Sequence, residues 1–90
     1  MQSKLDKLME NDDFGKGASD YDAGIMIYEN DSLNFILFSY EHHFEVYLSL
    51  FDEEPPHIRD YLIYAKADTL EEAQRQAEEQ LIEILDNSAH

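Results

Sequence analysis

The sequence predicts an α+β fold: a four-stranded antiparallel meander covered on one face by a C-terminal helix, with a short helix at the N-terminus. Three features carry that reading. Residues 24–51 sort into two consistent faces under simple alternation. Thr69-Leu70-Glu71-Glu72 has the form of a helix-opening capping box, and the apolar residues after it recur at helical spacing.

The strands come first in the argument because their turns set the register. Ile25-Met26-Ile27-Tyr28 favours a strand and stops at Asn30-Asp31, a pair that tolerates the positive φ of a two-residue hairpin turn. A turn there places Glu29 opposite Ser32, Tyr28 opposite Leu33 and Met26 opposite Phe35. A second turn at Glu41-His42 places Tyr40 opposite His43, Leu37 opposite Val46, Phe35 opposite Leu48 and Leu33 opposite Leu50. Both hairpins then agree on one apolar face holding Met26, Tyr28, Leu33, Phe35, Leu37, Phe44, Val46, Leu48 and Leu50. A slip of one residue would scramble it. The other face is mixed, with Ile25, Ile27, Ile36, Phe38, Tyr40, Tyr47 and Phe51 beside Asn34, Glu45 and Ser49.

The flanking segments follow. Residues 1–10 have helix-forming composition with Leu5, Leu8 and Met9 to one side, too short to hold in water unless packed. Residues 11–22 are rich in Asp, Asn, Gly and Ser and read as a mobile acidic loop, so the sheet is expected over 23–67. Asp52-Glu53-Glu54-Pro55-Pro56 is a loop, because its prolines cannot donate to a ladder. Residues 57–67 fit either a helix or a strand by period; the run Tyr61-Leu62-Ile63-Tyr64 favours a strand. The closing helix is expected over 69–86, its stripe of Leu70, Ala73, Ala77, Leu81, Ile84 and Leu85 lying on the apolar face of the sheet, with a frayed tail at 87–90. Ninety residues suit one domain.

Composition excludes several functions. The formal charge is −15, from 21 acidic against 6 basic side chains, whereas binding nucleic acid directly or docking on an anionic membrane takes clustered Lys and Arg. Because 43% of residues are hydrophobic, the charge belongs to a folded surface and does not signal disorder. There is no cysteine, hence no disulfide, thiolate metal site or cysteine nucleophile. No apolar run is long enough to span a membrane and residues 1–10 lack the core of a secretory signal, so a cytoplasmic protein is expected.

Motifs for chemistry are sparse. Asp13-Phe14-Gly15 spells three letters of a kinase motif without the glycine-rich and catalytic loops that give it meaning, and Gly15-Lys16-Gly17 lacks phosphate-loop spacing. Carboxylate pairs are uninformative among so many acids, and no serine sits in a nucleophile elbow, so no catalytic residue and no cofactor is assigned. Glu41-His42-His43-Phe44-Glu45 offers two imidazoles and a carboxylate to a divalent ion. Adjacent turn histidines are more often simply solvated, and no metal is expected. The strand running into Ala67-Asp68-Thr69-Leu70-Glu71-Glu72-Ala73 is similar to the strand-to-helix step of HicB-type antitoxins. The proline- and glycine-centred segment that those proteins carry ahead of this step is missing, and no family property is transferred.

The expected role is therefore a small acidic binding module that inhibits or neutralises a basic, nucleic-acid-binding type of partner protein, as an inhibitor, antitoxin or immunity protein does, its carboxylates standing in for phosphates. The candidate contact residues are Asp12, Asp13, Asp20, Asp22, Asp52, Glu53, Glu54, Glu72, Glu79, Glu83 and Asp86. Ile27, Ile36, Phe38, Tyr47 and Phe51 on the mixed face supply an apolar interface that something must cover. The competing expectation is a structural homodimer or complex subunit joined through that face, its acidity serving solubility.

Overall fold

A computed structural model describes residues 3–52 and 59–88. They form α1 (Lys4–Met9), β1 (Asp20–Tyr28), β2 (Asp31–Ser39), β3 (Phe44–Asp52), β4 (Arg59–Ala67) and α2 (Leu70–Ser88). The strands make one antiparallel sheet in the order β1-β2-β3-β4, the expected meander, with 59–67 a strand. Residues 89–90 of the expected frayed tail lie outside the described residues, and α2 runs two residues beyond its expected end at Asp86.

The second hairpin has the expected pairing, with Leu37 opposite Val46, Phe35 opposite Leu48, and the Tyr40 N–H donating to the His43 carbonyl at 2.9 Å. The first differs. Tyr28 pairs with Asp31 and Met26 with Leu33, so Glu29-Asn30 makes the turn, with Glu29 at a φ of 55°. Asp31 joins β2 instead, where its carboxylate lies 3.5 Å from the Arg59 guanidinium. Because each residue's partner changes by two positions, every side chain keeps its face, and the two-sided pattern survives the altered register.

α2 lies across β3 and β4. Ala73 and Ala77 are buried against the sheet, and their small side chains let the helix approach a core of Leu33, Val46, Leu48, Leu50, Ile63, Ala65 and Leu81. Gln80 Nε2 adds a tether, donating to the Tyr64 carbonyl at 2.8 Å. Thr69 Oγ1 accepts the Glu72 N–H at 3.2 Å as expected of a cap, but the Glu72 carboxylate turns to Arg75 and Gln76. The reciprocal capping box closes at α1: Ser3 Oγ accepts the Asp6 N–H at 3.1 Å and Asp6 Oδ2 accepts the Ser3 N–H at 3.3 Å. The Asp60 carboxylate also accepts the Lys4 N–H, which fastens this short helix to β4.

The opposite face of the sheet holds a second core. Leu5 of α1, Ile36 and Phe38 are buried there with Phe14, Ala18, Tyr40, Tyr47 and Leu62 around them. Phe14 meets Phe38 and Tyr47 edge-on, with ring centroids at 5.1 and 4.9 Å. Gly15, at a φ of +76°, lies so close beneath Phe38 that a Cβ would come within 2.5 Å of the ring, so only glycine fits the approach. Residues 11–19 are thus a turn-rich connection pinned by Phe14, and β1 begins at Asp20, inside the segment expected to be loop.

Candidate docking surface

Neither layer reaches β1. A helix is about 10 Å across and adjacent strands are about 4.8 Å apart, so one helix covers two strands of four. α2 takes β3 and β4; on the other side α1 packs on β4, its Leu5 clustering with Ile36, Phe38 and Leu62, and Phe14 of the 11–19 connection covers Phe38 of β2 and Tyr47 of β3. Ile25 and Ile27 of β1 are consequently 72% and 74% exposed, and Tyr21 and Met26 are exposed as well. The outer edge of β1 has no neighbouring strand among the described residues.

Two hollows flank β1. On the α2 side a groove of about 450 Å³ has Phe35, Leu37, Val46 and Leu48 as its floor, Met26 and Tyr28 at the strand margin, and Gln74, Ala77, Glu78 and Leu81 along the helix wall. Asp22 of β1 lines the same strand margin. Its only charged residues are Asp22 and Glu78, both exposed and neither ion-paired among the described residues. A second hollow, also about 450 Å³, lies between α1 and β1 and is lined by Leu5, Met9, Ala23, Ile25, Ile36 and Phe51, among others.

The candidate acids divide into free and engaged groups. Asp12, Asp22, Glu83 and Asp86 are exposed, and so are Asp20, whose Oδ1 accepts the Tyr21 N–H at 2.9 Å, and Asp13, whose carboxylate lies 3.8 Å from Lys16. Asp52 is held by Arg59 at 3.1 Å. Glu72 and Glu79 both close on Arg75, whose hydrogen bonds hold the Glu72 carboxyl below its usual range. Glu53 and Glu54 lie outside the described residues. Among the candidate apolar positions Ile27 is bare, Tyr47 and Phe51 are half-buried, and Ile36 and Phe38 are inside the chain under α1 and Phe14. Sequence reasoning passed over Met26, Phe35 and Leu37 as surface because their face was expected to be sealed. The signal that could have flagged them was the width of the sheet against the width of a single helix.

Glu45 gathers a separate cluster on the α1 side. The Tyr64 hydroxyl donates to its carboxylate at 3.0 Å, and His43 stacks on Tyr40 with centroids 4.4 Å apart while its Nε2 lies 3.9 Å from Glu45. Burial, reinforced by the Glu45 carboxylate, pushes the Tyr40 and Tyr64 phenols up to about 12, and burial raises Tyr47. The arrangement sets a half-buried carboxylate among neutral phenols. His42 instead faces solvent, 3.7 Å from Glu41. Among the described residues no set of three His, Cys, Asp or Glu is placed to hold a metal ion. Nor is any described helix long and apolar enough to cross a membrane.

The chain matches no protein-family model, no curated protein and no solved structure.

Proposed function

We propose that this protein is a binding module and not an enzyme, one that docks on a basic protein and blocks a surface suited to nucleic acid, in the manner of an inhibitor, antitoxin or immunity protein. The observation that carries the reading is the groove beside α2: an apolar floor bordered by exposed carboxylates, with no cation lining it among the described residues, on a chain of net charge −15. Apolar contact supplies affinity there, while the surrounding acids steer a basic partner and discriminate against an acidic one. Asp22 on β1 and Glu78 on α2 line the groove, and Asp20 lies two residues before Asp22 on the same face of β1. A cytoplasmic setting accords with the absence of cysteine.

Affinity capture from the host, with partners identified by mass spectrometry and eluted along a salt gradient, tests this. A basic protein released between about 50 and about 500 mM salt is expected, and its recovery should fall when Asp20, Asp22 and Glu78 are changed together to Asn, Asn and Gln. Recovery of acidic or neutral partners indifferent to salt would sink the reading.

A second reading has its own support. Ile25 and Ile27 form an exposed apolar stripe beside a strand edge that no other strand of the described residues pairs, which favours a homodimer joined through β1.

A further inference from the structure

We infer that the groove beside α2 seats an amphipathic helix of the partner, apolar on the buried side and carrying Lys or Arg along its margins. The inference rests on the binding reading above and names the shape and chemistry of what binds.

Space is the first argument. The uncovered half of this face is two strands wide, about 10 Å, which matches the diameter of one helix lying alongside α2. The second is hydrogen bonding. β2, the floor strand, is paired on both sides by β1 and β3, so an occupant of this face cannot join the ladder. It must bring its own backbone hydrogen bonds, and a helix does so. Side-chain chemistry is the third argument. Met26, Phe35, Leu37 and Leu48 offer adaptable and aromatic apolar contacts, which an i, i+3, i+4, i+7 stripe would meet. Asp22 and Glu78 stand at opposite margins where flanking cations would reach them. A second copy fits poorly, because the exposed face of its α2 would bring Glu71, Glu78, Glu79 and Glu83 against these same carboxylates.

The test uses the full chain, labelled with nitrogen-15, and three synthetic peptides of about 18 residues, about five helical turns. One is a Leu/Lys amphipathic helix, one has the same composition scrambled out of helical period, and one is the Leu/Glu counterpart of the first. Amide shifts with the Leu/Lys helix should concentrate on Asp22 to Tyr28, Phe35, Leu37 and Gln74 to Leu81, with affinity at least about tenfold above the scrambled peptide. Met26→Ser and the pair Asp22→Asn with Glu78→Gln should each weaken binding several-fold; Glu41→Gln with Asp68→Asn, an equal change of charge at exposed positions outside the groove lining, should not. Equal binding of the scrambled peptide, equal loss in the Glu41 and Asp68 variant, or shifts confined to the outer edge of β1 would overturn the helix-in-groove inference while leaving the basic-partner reading standing. Binding of the Leu/Glu peptide as tight as that of the Leu/Lys peptide would overturn both. A stable dimer of the chain alone whose formation protects the groove would give the site to a second copy and overturn the inference.

Discussion

Single positions already carry measurable consequences. Glu29 has the only positive φ among the described non-glycine residues, in a turn where a side chain gains nothing visible for the strain. Glu29→Gly should raise stability by about 0.5 to 1 kcal/mol, read as a higher urea midpoint at unchanged slope. A lower midpoint would mean that the turn is not strained. The Glu45 cluster gives a pH dependence. The folded pKa of Tyr40 and Tyr64, about 12, lies above the ordinary 10.0, so their contribution is complete below pH 10 and is lost as pH rises toward 12. Denaturation midpoints followed across that interval should fall less steeply for Tyr40→Phe with Tyr64→Phe than for the parent chain. Identical slopes would show that the two phenols are not coupled to folding. Part of this cluster is legible in the sequence, since alternation puts His43 and Glu45 on one side of β3. The phenols that reach Glu45 come from β4 and from beyond β2, and only the register brings them there.

At the scale of elements, the sheet is stabilised unevenly. Leu81 is buried between α2 and the sheet, whereas Ile27 lies in the open on β1. Leu81→Ala should cost about 2 to 5 kcal/mol, and Ile27→Ala less than about 0.5, in equilibrium unfolding. Similar costs at the two positions would mean that β1 is covered. α1 should likewise open separately from the rest. Its Ser3 box, the Asp60 carboxylate and the buried Leu5 hold a helix of 6 residues, and Ser3→Ala should cost about 1 kcal/mol with faster amide exchange confined to α1. The elements themselves were readable: strands from alternation and turns, α2 from its cap and stripe. The first hairpin was misplaced because Asn30-Asp31 and Glu29-Asn30 are both admissible turns by local preference, and the choice between them involves Arg59, a contact distant in sequence. The start of β1 at Asp20 was hidden for a similar reason, since Asp and Gly argue locally against a strand and the pairing with β2 outweighs them.

For the whole molecule, coverage and charge combine. One long helix seals half of one face, one short helix and a pinned loop seal much of the other, and β1 is left as a rib between two hollows in a strongly anionic chain. Composition made the charge plain, and the amphipathic pattern located the core. Neither reveals how far a single helix extends over the strands, which depends on where α2 settles relative to β3 and β4. The docking surface proposed above exists only if β1 is bare on both sides in the isolated chain. Hydroxyl-radical footprinting at low micromolar concentration measures that directly. Tyr21, Ile25, Met26 and Ile27 should label heavily while Leu33, Leu48 and Leu81 stay protected; protection of the β1 residues to the level of Leu48 would contradict the account.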